Sequence, residues 1–363
     1  MKDPCDRHLR EIRRHLDALK SLGSAPVRIM EVCGTHTMVL ARAGLRSLLG
    51  EGVRFLSGPG CPVCVTDGAY LERAIHLSRT RPDITLASYG DMVRVPGQSG
   101  SLADARCAGA DVRVVYSAGQ AVEIALACRD RQVVFLAVGF ETTAPGTALA
   151  LRRAQREGLE NFSVLTAHKR ILPAMRALLV GDDVRVDAFL CPGHVSVIVG
   201  WGVYRELVDR FARPCVVAGF EPSQILAGVA EILRQLAEKQ PQAASVYPPV
   251  SREGNRVAQA ILEETFVPAD AVWRGLGEIP ESGLDLREEL AAFDAARRFE
   301  LPDYPTQDPP DCRCGDVLCG RCDPAECPLF SRRCTPRDPV GACMVSSEGA
   351  CAAAYQYERF RKR

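Results

Sequence analysis

Two cysteine motifs near the start of the chain have the residue types and spacing of a metal or redox site. Cys33 lies in CGTHT (33–37) with His36 three residues later, and Cys61 and Cys64 form a C-x-x-C within GPGCPVC (58–64). Two thiols at this spacing can bind one metal ion or close a small disulfide. Each motif follows a β-branched segment, and ligand sites of open α/β sheets form where strands end. The sequence therefore predicts a shared thiol site, with His36 as co-ligand or proton partner.

Cys33 also precedes a predicted helix, which gives an expectation for its acidity. Backbone N–H groups and the helix dipole at such a position lower the pKa of a thiol and favour the thiolate. An isolated cysteine is most often a small buried hydrophobe, and we assign that role to Cys107, Cys128 and Cys215. Glycine, proline and histidine neighbours make the same assignment poor for the cysteines of CGTHT and GPGCPVC.

The C-terminal segment holds the densest group of cysteines. Eight of the sixteen lie between Cys312 and Cys351, in a stretch with four prolines and no long apolar run. A segment of this kind needs a covalent or metal staple to offset its conformational entropy, and grouped thiolates bind iron–sulfur clusters or structural zinc. The residues alone predict a metal or redox module and leave a zinc-stapled knuckle open.

Two further strand-end loops carry polar groups. They are GFETTAPG (139–146), with Glu141, Thr142 and Thr143, and CPGHVS (191–196), with His194 and Ser196. We assign both loops to a second α/β unit, whose polar groups would line a cleft opposite the three N-terminal thiols. The alternative for the threonines is capping of the following helix. The remaining histidines are interpreted as surface or solvated residues: His8, His15, His76 and His168.

Hydrophobic periodicity predicts an α/β fold. Short β-branched runs alternate with amphipathic segments, which is typical of parallel sheets covered by helices. The predicted strands are residues 27–32, 53–56, 84–88, 112–116, 133–138, 163–167, 188–191 and 216–219, and the predicted helices include 120–129, 147–158, 224–239 and 253–265. We expect two α/β units with parallel sheets facing across a cleft, at residues 1–120 and 121–240, and a small C-terminal domain at 241–363.

Composition narrows the functional classes. The formal net charge of the 363 residues is zero, which gives no electrostatic reason to expect nucleic acid or an anionic membrane. No run reaches the roughly 18 apolar residues of a membrane helix, and the N-terminus lacks the apolar core of a signal peptide, so we expect a cytoplasmic protein. Walker A and Gly-x-Gly-x-x-Gly patterns do not occur.

Taken in order, the motifs resemble one known family. CGTHT, GPGCPVC, GFETTAPGTA (139–148), PGHVS (192–196) and CTP…CMVSSEGAC (334–351) closely resemble the HypD family of hydrogenase maturation factors, over about residues 27 to 357. The resemblance implies a scaffold, rather than a conventional turnover enzyme, for assembling the Fe(CN)2CO group of [NiFe]-hydrogenases. The implied partners are the chaperone HypC and the cyanide donor HypE. Cys33 would hold the iron jointly with a HypC cysteine, with Cys61 and Cys64 as the nearby redox or ligand pair.

The resemblance also implies a resident cofactor in the C-terminal domain. The family's [4Fe-4S] pattern C-x14-C-x6-C-x16-C maps onto Cys312, Cys327, Cys334 and Cys351. Two further family cysteines match Cys314 and Cys343, which resemble the cluster-adjacent disulfide of ferredoxin:thioredoxin reductase, and Glu348 is expected near that pair. The extra C-x-x-C of Cys319 and Cys322 is outside the family pattern, so either of these could replace Cys312 or Cys314.

Two other functional classes stay open on the sequence. One is an iron-sulfur-linked thiol-disulfide oxidoreductase acting on protein partners, which needs the cysteine pairs but not Cys33. The other is a zinc-stabilised adaptor, for which no cysteine outside the tail matters.

Overall fold

The computed structural model describes residues 4–21, 23, 26–181 and 184–359. It confirms the predicted fold class, because the chain forms an α/β structure with two parallel sheets and a cysteine-rich C-terminal region. The strands of the described residues are β1 Val27–Glu31, β2 Val53–Ser57, β3 Ile84–Ser88, β4 Asp111–Val114, β5 Gln132–Gly139, β6 Phe162–His168, β7 Ala188–Pro192, β8 Cys215–Ala218, β9 Ala243–Ser245, β10 Phe266–Trp273 and β11 Gly277–Leu286.

Helices of very different length connect these strands. Within the described ranges they are α1 Pro4–Ser21, α2 Gly34–Arg42, α3 Leu45–Leu49, α4 Pro62–Val65, α5 Gly68–Thr80, α6 Gly90–Val93, α7 Leu102–Cys107, α8 Ala118–Ala127, α9 Ala144–Arg156, α10 Ile171–Val180, α11 Gly193–Val199, α12 Arg205–Phe211, α13 Pro222–Ala237, α14 Arg256–Thr265, α15 Ala295–Arg298, α16 Cys314–Leu318, α17 Ala342–Val345 and α18 Ala350–Tyr357. Short 3-10 helices occur at Gly50–Gly52, Trp201–Tyr204, Glu288–Phe293 and Pro324–Glu326.

All eight predicted strands are present, and local sequence explains why. The segment ITLAS of β3 is fully buried, as expected of a strand covered by helices on both faces. Side-chain caps start the helices that follow: Asp67 accepts the N–H of Tyr70 at α5, and Ser117 accepts the N–H of Gln120 at α8. These signals are local, so they could be read from the sequence.

The sheets do not follow the predicted division at residue 120. The first sheet has the order β2-β1-β7-β8-β9, so it combines residues 27–57 with residues 188–245. The second sheet, β4-β3-β5-β6, is formed by the chain segment between them, residues 84–168. Strand propensity does not specify which strands pair, and the chain leaves the first sheet after β2 and returns to it at β7. The loop with His194 therefore belongs to the sheet that carries Cys33, and our assignment of it to a second unit is wrong.

An antiparallel hairpin, β10 and β11, joins the two sheets to the C-terminal region. It bridges to the CPVC loop through Thr66 and Trp273, and to the end of β6 through Lys169 and Gly283. The largest apolar core includes residues from both sheets, the hairpin and the tail. Residues 4–21, 23, 26–181 and 184–359 contain no helix that is long and apolar enough to cross a bilayer.

Candidate thiol and metal site

The carboxyl edge of the first sheet brings together the two N-terminal cysteine motifs. Cys33 follows β1 and Cys61 follows β2, and these strands are adjacent and parallel. The N–H of Gly34 donates to the carbonyl of Gly60 at 3.3 Å. A Cβ atom on Gly60 would lie only 2.2 Å from the backbone nitrogen of Cys33, so this close approach requires glycine. Backbone packing thus fixes the two motifs against each other.

The acidity of Cys33 differs from our expectation. The Cys33 thiol is buried, and burial raises its pKa to about 12, with the nearby carboxylates of Glu348 and Glu31 acting in the same direction. The N–H groups of His36 and Thr35 oppose this effect, but they do not outweigh it. The prediction of a lowered pKa is wrong, because it considered the helix N-terminus without the loss of solvent. Cys33 is a neutral thiol that a metal ion would have to deprotonate on binding.

A buried carboxylate supports the backbone at Cys33, and sequence reasoning missed it. Glu31 accepts the hydroxyl of Thr37 at 2.5 Å and the N–H of Cys33 at 3.3 Å. Burial raises the pKa of Glu31 to about 7, although Arg46, whose Nη2 lies 3.7 Å from Glu31 Oε1, lowers it. Its position was a weak signal, since a carboxylate at the end of a buried strand needs polar partners.

Two histidines flank Phe220 at the same sheet edge. His36 is fully buried, with Nε2 3.0 Å from the carbonyl of Gly219, and its Nδ1 has no hydrogen-bond partner among the described residues. Burial lowers the pKa of His36 to about 4, so the ring is neutral at physiological pH. The exposed His194 stacks on Phe220 with ring centroids 3.9 Å apart. Ser196 points inward instead, with its hydroxyl bonded to the carbonyl of Pro192.

Glu348 lies at the Cys33 loop. Its Oε1 accepts the hydroxyl of Thr35 at 2.6 Å, and a Cβ on Gly34 would be 2.6 Å from the Cβ of Glu348. The neighbouring Gly349 packs on the backbone of Cys343. The SEGAC segment therefore spans the distance between the Cys33 loop and the cysteines of the tail.

Cys64, the second cysteine of the CPVC motif, contacts the C-terminal tail. Cys61 Sγ accepts the N–H of Cys64 at 3.3 Å, which starts the short helix α4. Cys64 is completely buried, and its thiol is within hydrogen-bonding reach of the thiols of both Cys61 and Cys343. Burial raises the pKa of Cys64 well above its ordinary value.

Arg274 is the cation of this region, and the sequence did not identify it. The guanidinium is almost fully buried and donates to the carbonyls of Cys64 at 3.1 Å and Thr66 at 3.0 Å, and it pairs with Asp308. It also faces the thiol of Cys314. The Cys312 thiol and the charge of Arg274 act to lower the pKa of Cys314, but the Cys343 thiol and burial outweigh them, and the pKa lies well above its ordinary value. A single arginine at a hairpin turn carries no motif, so no local signal could have found it.

Six of the tail cysteines surround one small cavity. The cysteines that line it are Cys312, Cys314, Cys327, Cys334, Cys343 and Cys351. Cys319 and Cys322 do not line it, and the Cys319 thiol donates to the carbonyl of Gly275 at 3.3 Å. The cavity therefore favours the first ligand set over any replacement by these two residues. We call it the cysteine cavity.

The donor set of the cysteine cavity consists of thiols, the ligand type that both iron–sulfur clusters and structural zinc select. Among the residues that the structure describes, no group of three or more His, Cys, Asp or Glu side chains is arranged to hold one metal ion. In a cubane cluster each thiolate binds a different iron, so its ligands are spaced further apart than those of one zinc ion. The thiols that line the cavity, Cys312, Cys327, Cys334 and Cys351 among them, are donors of the type that such a cluster needs.

The cysteine pair of the tail lies between the cavity and the C-x-x-C motif. The sulfur atoms of Cys314 and Cys343 are 2.7 Å apart. Cys314 is also within hydrogen-bonding reach of Cys312, and Cys343 of both Cys351 and Cys64. A continuous series of thiol contacts thus runs from the C-x-x-C motif to two cysteines of the cavity.

The polar loop of the second sheet forms a separate environment. Glu141 is buried and lines another cavity, where its Oε1 accepts the N–H of Ile171 at 3.0 Å and its Oε2 has no partner among the described residues. Burial raises its pKa to about 7. Thr142 follows it in the turn, while Thr143 occupies the N-cap position of α9 without a side-chain cap bond and donates instead to the carbonyl of Phe140. Across the described chain, no hydrogen bond or ion pair connects Glu141 with the N-terminal thiols.

Three other interpretations from the sequence change. His168 is buried rather than exposed and bonds Thr147 Oγ1 at 3.0 Å. Cys107 is exposed and Cys128 only half-buried, whereas Cys215 is buried as expected. A single amphipathic pattern does not decide which of these positions face solvent, because neighbouring elements cover them.

Fold and site together define a class of protein: an α/β thiol protein whose sheet edge is connected by thiol contacts to a cysteine-lined cavity. Comparison with known proteins gives the family. A family model named HypD, described as hydrogenase formation hypA family, matches residues 6–358. Hydrogenase maturation factor HypD2 of Bradyrhizobium diazoefficiens is 45% identical over 93% of this chain and 90% of its own length. HypD of Escherichia coli is 43% identical over 97% and 94%, and hydrogenase expression/formation protein HupD of Azotobacter chroococcum is 43% identical over 92% and 90%. The chain belongs to the HypD family and has a role in hydrogenase maturation.

Proposed function

We propose that the protein is an assembly scaffold for the Fe(CN)2CO group of [NiFe]-hydrogenases. The observation that carries the proposal is the continuous series of thiol contacts between the sheet edge and the cysteine cavity. A scaffold that binds iron at one thiol and changes the redox state of other thiols needs the sheet edge and the cysteine cavity to be in contact. A purely structural zinc adaptor needs neither the buried C-x-x-C nor its contact with the tail.

The iron would be held as cargo at the edge of the first sheet. Cys33 supplies a soft ligand suited to low-spin iron with cyanide and carbon monoxide, and a cysteine of a HypC-type chaperone supplies another. His36 presents a neutral ring whose Nδ1 has no partner among the described residues, so this nitrogen can accept a hydrogen bond. Glu348 and Glu31 fix the backbone around Cys33. The cyanide donor is a HypE-type protein.

A [4Fe-4S] cluster would be held by Cys312, Cys327, Cys334 and Cys351, and it would supply single electrons. The chain's own thiols then exchange electron pairs. A reduced Cys314/Cys343 pair attacks a Cys61–Cys64 disulfide, one disulfide forms as the other breaks, and the C-x-x-C ends as two thiols. The contact between Cys64 and Cys343 supports this exchange.

Infrared spectroscopy of the chain purified together with its HypC-type chaperone tests the proposal. We expect cyanide and carbon monoxide bands that disappear in Cys33→Ala and persist in the matched variant Cys107→Ala, which removes an exposed thiol far from the motifs. Bands of normal intensity in Cys33→Ala would overturn the assignment of the iron site. Iron, sulfide and zinc analysis with an absorption spectrum tests the cluster, and a colourless zinc protein would contradict it.

A thiol-disulfide oxidoreductase is the second candidate, because the 2.7 Å separation of the Cys314 and Cys343 sulfurs suits a redox pair without any role for Cys33. The two functions differ in one variant. If Cys33→Ala matures hydrogenase normally while Cys343→Ser does not, the oxidoreductase is favoured. We also propose the cytoplasm as the compartment, since the exchange requires thiols that are kept reduced.

A further inference from the structure

The cysteine cavity adjoins a surface groove. Phe330 lines the cysteine cavity and also lines a large surface groove between β2, α2 and α18. The rings of Phe330 and Tyr355 of α18 are packed edge to face, with centroids 6.2 Å apart. Because the cavity and the groove share this side chain, an electron donor seated at the groove would lie beside the cavity.

The loop that follows Phe330 is strongly basic. Residues 329–340 contain Arg332, Arg333 and Arg337 but a single carboxylate, Asp338, and the loop includes the cavity residue Cys334. All three arginines are exposed, and within residues 4–21, 23, 26–181 and 184–359 none of them forms an ion pair. We call these three residues the arginine loop.

Two other arginines of the tail have an acidic partner. Arg313 and Arg321 both pair with Asp316, at 3.0 Å and 2.9 Å, and Arg54 of β2 lies 3.7 Å from Asp323 at the groove. Within the described residues 312–351, the arginines without an ion pair are therefore those of the arginine loop, beside Cys334. Hydrogen bonds within the loop hold its shape, since the N–H of Cys334 donates to the carbonyl of Leu329 and the Cys334 sulfur accepts the N–H of Val340.

We propose that the arginine loop and the adjoining groove are the docking site of an acidic one-electron carrier protein that reduces the cluster module. Exposed charge of one sign steers a partner of opposite charge and orients it, and electron-transfer partners form small, transient, salt-sensitive interfaces. Because the net charge of the whole chain is zero, the exposed positive charge of the arginine loop is a local feature and not a property of the whole chain. The inference rests on the proposed function, because it supplies the reductant that the thiol exchange consumes.

The electron balance requires such a donor. Each reduced carrier gives up one electron and leaves oxidised. Two encounters and two protons from solvent convert one Cys314–Cys343 disulfide into two thiols. No group of the described chain is itself a source of these electrons, so an external one-electron donor must come within reach of the cavity.

The test measures binding as well as reduction, on the full-length chain with its cluster reconstituted. The probe is an acidic [2Fe-2S] ferredoxin, and basic cytochrome c is the control for charge. A triple reversal changes Arg332, Arg333 and Arg337 to Glu. The matched control reverses three exposed arginines that lie elsewhere, on or beside α1, α7 and α8: Arg10, Arg106 and Arg129.

We expect ferredoxin to bind the unaltered protein with an association rate constant that falls steeply with added salt. The triple reversal should lower that rate constant by about 10-fold to 100-fold, while the matched control and an Arg→Lys version of the loop change it little. Reduction of the cluster by dithionite, which needs no docking, should be the same in all variants. Cytochrome c should bind the unaltered protein poorly.

Three results would overturn the docking site. One is equal ferredoxin binding in the triple reversal and the unaltered chain. Another is a loss of ferredoxin binding in the matched control that equals the loss in the triple reversal. The third is a loss of HypC-type chaperone binding, rather than ferredoxin binding, in the triple reversal, which would assign the loop to the chaperone. If the chain contains no iron and sulfide, the proposed function fails as well, and elemental analysis distinguishes that case.

Discussion

Replacing Arg274 by methionine should destabilise the protein and slow its thiol chemistry together. The change leaves the carbonyls of Cys64 and Thr66 without their buried donors, and it leaves Asp308 without its cation. An unsatisfied buried acceptor costs about 1–3 kcal/mol, whereas Asp308, whose side chain is 35% exposed, can be hydrated when it loses its cation. With two carbonyls unsatisfied, we expect the free energy of unfolding to fall by about 2–6 kcal/mol, a large part of the total of about 5–15 kcal/mol for a typical domain.

The assay combines urea denaturation with alkylation of the tail thiols. The midpoint should shift while the slope with denaturant stays the same. The charge of Arg274 opposes the rise in the pKa of Cys314, so its loss should raise that pKa further and slow alkylation of Cys314 at constant pH. Arg274→Lys is the matched variant, because it keeps the positive charge but not the planar fork that reaches two carbonyls.

We expect the lysine variant to restore much of the thiol reactivity and little of the stability. Arg297→Met, at an exposed arginine paired with Glu288, should leave the midpoint unchanged. The reasoning is refuted if Arg274→Met unfolds with the midpoint of the unaltered protein, or if the lysine and methionine variants react with alkylating agents at the same rate.

Three further changes have defined outcomes. Burial raises the pKa of Glu141 from 4.5 to about 7, so the folded state binds the proton of Glu141 more tightly than the unfolded state does. The free energy of unfolding therefore falls as pH rises from about 4.5 to 7, by about 3 kcal/mol at most. Glu141→Gln should flatten this pH dependence in urea titrations at several pH values. Gly60→Ala should cost about 1–3 kcal/mol in thermal unfolding and displace the backbone of Cys33, whereas Gly146→Ala, which has open space around it, should not destabilise. Cys343→Ser should block the transfer of reducing equivalents to the C-x-x-C motif, which thiol titration measures, and should leave the absorption spectrum of the cluster unchanged. Full transfer in this variant would contradict the series of thiol contacts.

Much of the fold could be read from the sequence, because its signals are local. Strand β5 contains an uninterrupted apolar run at residues 133–138, and side-chain caps mark helices such as α5. The hairpin β10–β11 was missed, since its half-buried strands contain a proline and a register shift that interrupt the alternation. The domain division was wrong for another reason: the pairing of β1 with β7 joins residues far apart in the chain, and nothing in either strand encodes that choice.

The sequence by itself determined the chemistry available to the protein, because residue type and spacing are properties of the chain. It supplied the C-x-x-C, the loop of Cys33 and the spacing of the tail cysteines. Only the tertiary structure decided how these groups are arranged. It placed His194 on the same sheet edge as Cys33, Glu348 against Thr35, and Arg274 beside the thiols, and burial rather than the helix dipole set the acidity of Cys33. Solvent exclusion and long-range packing depend on all the surrounding elements at once, so no local pattern could have specified them.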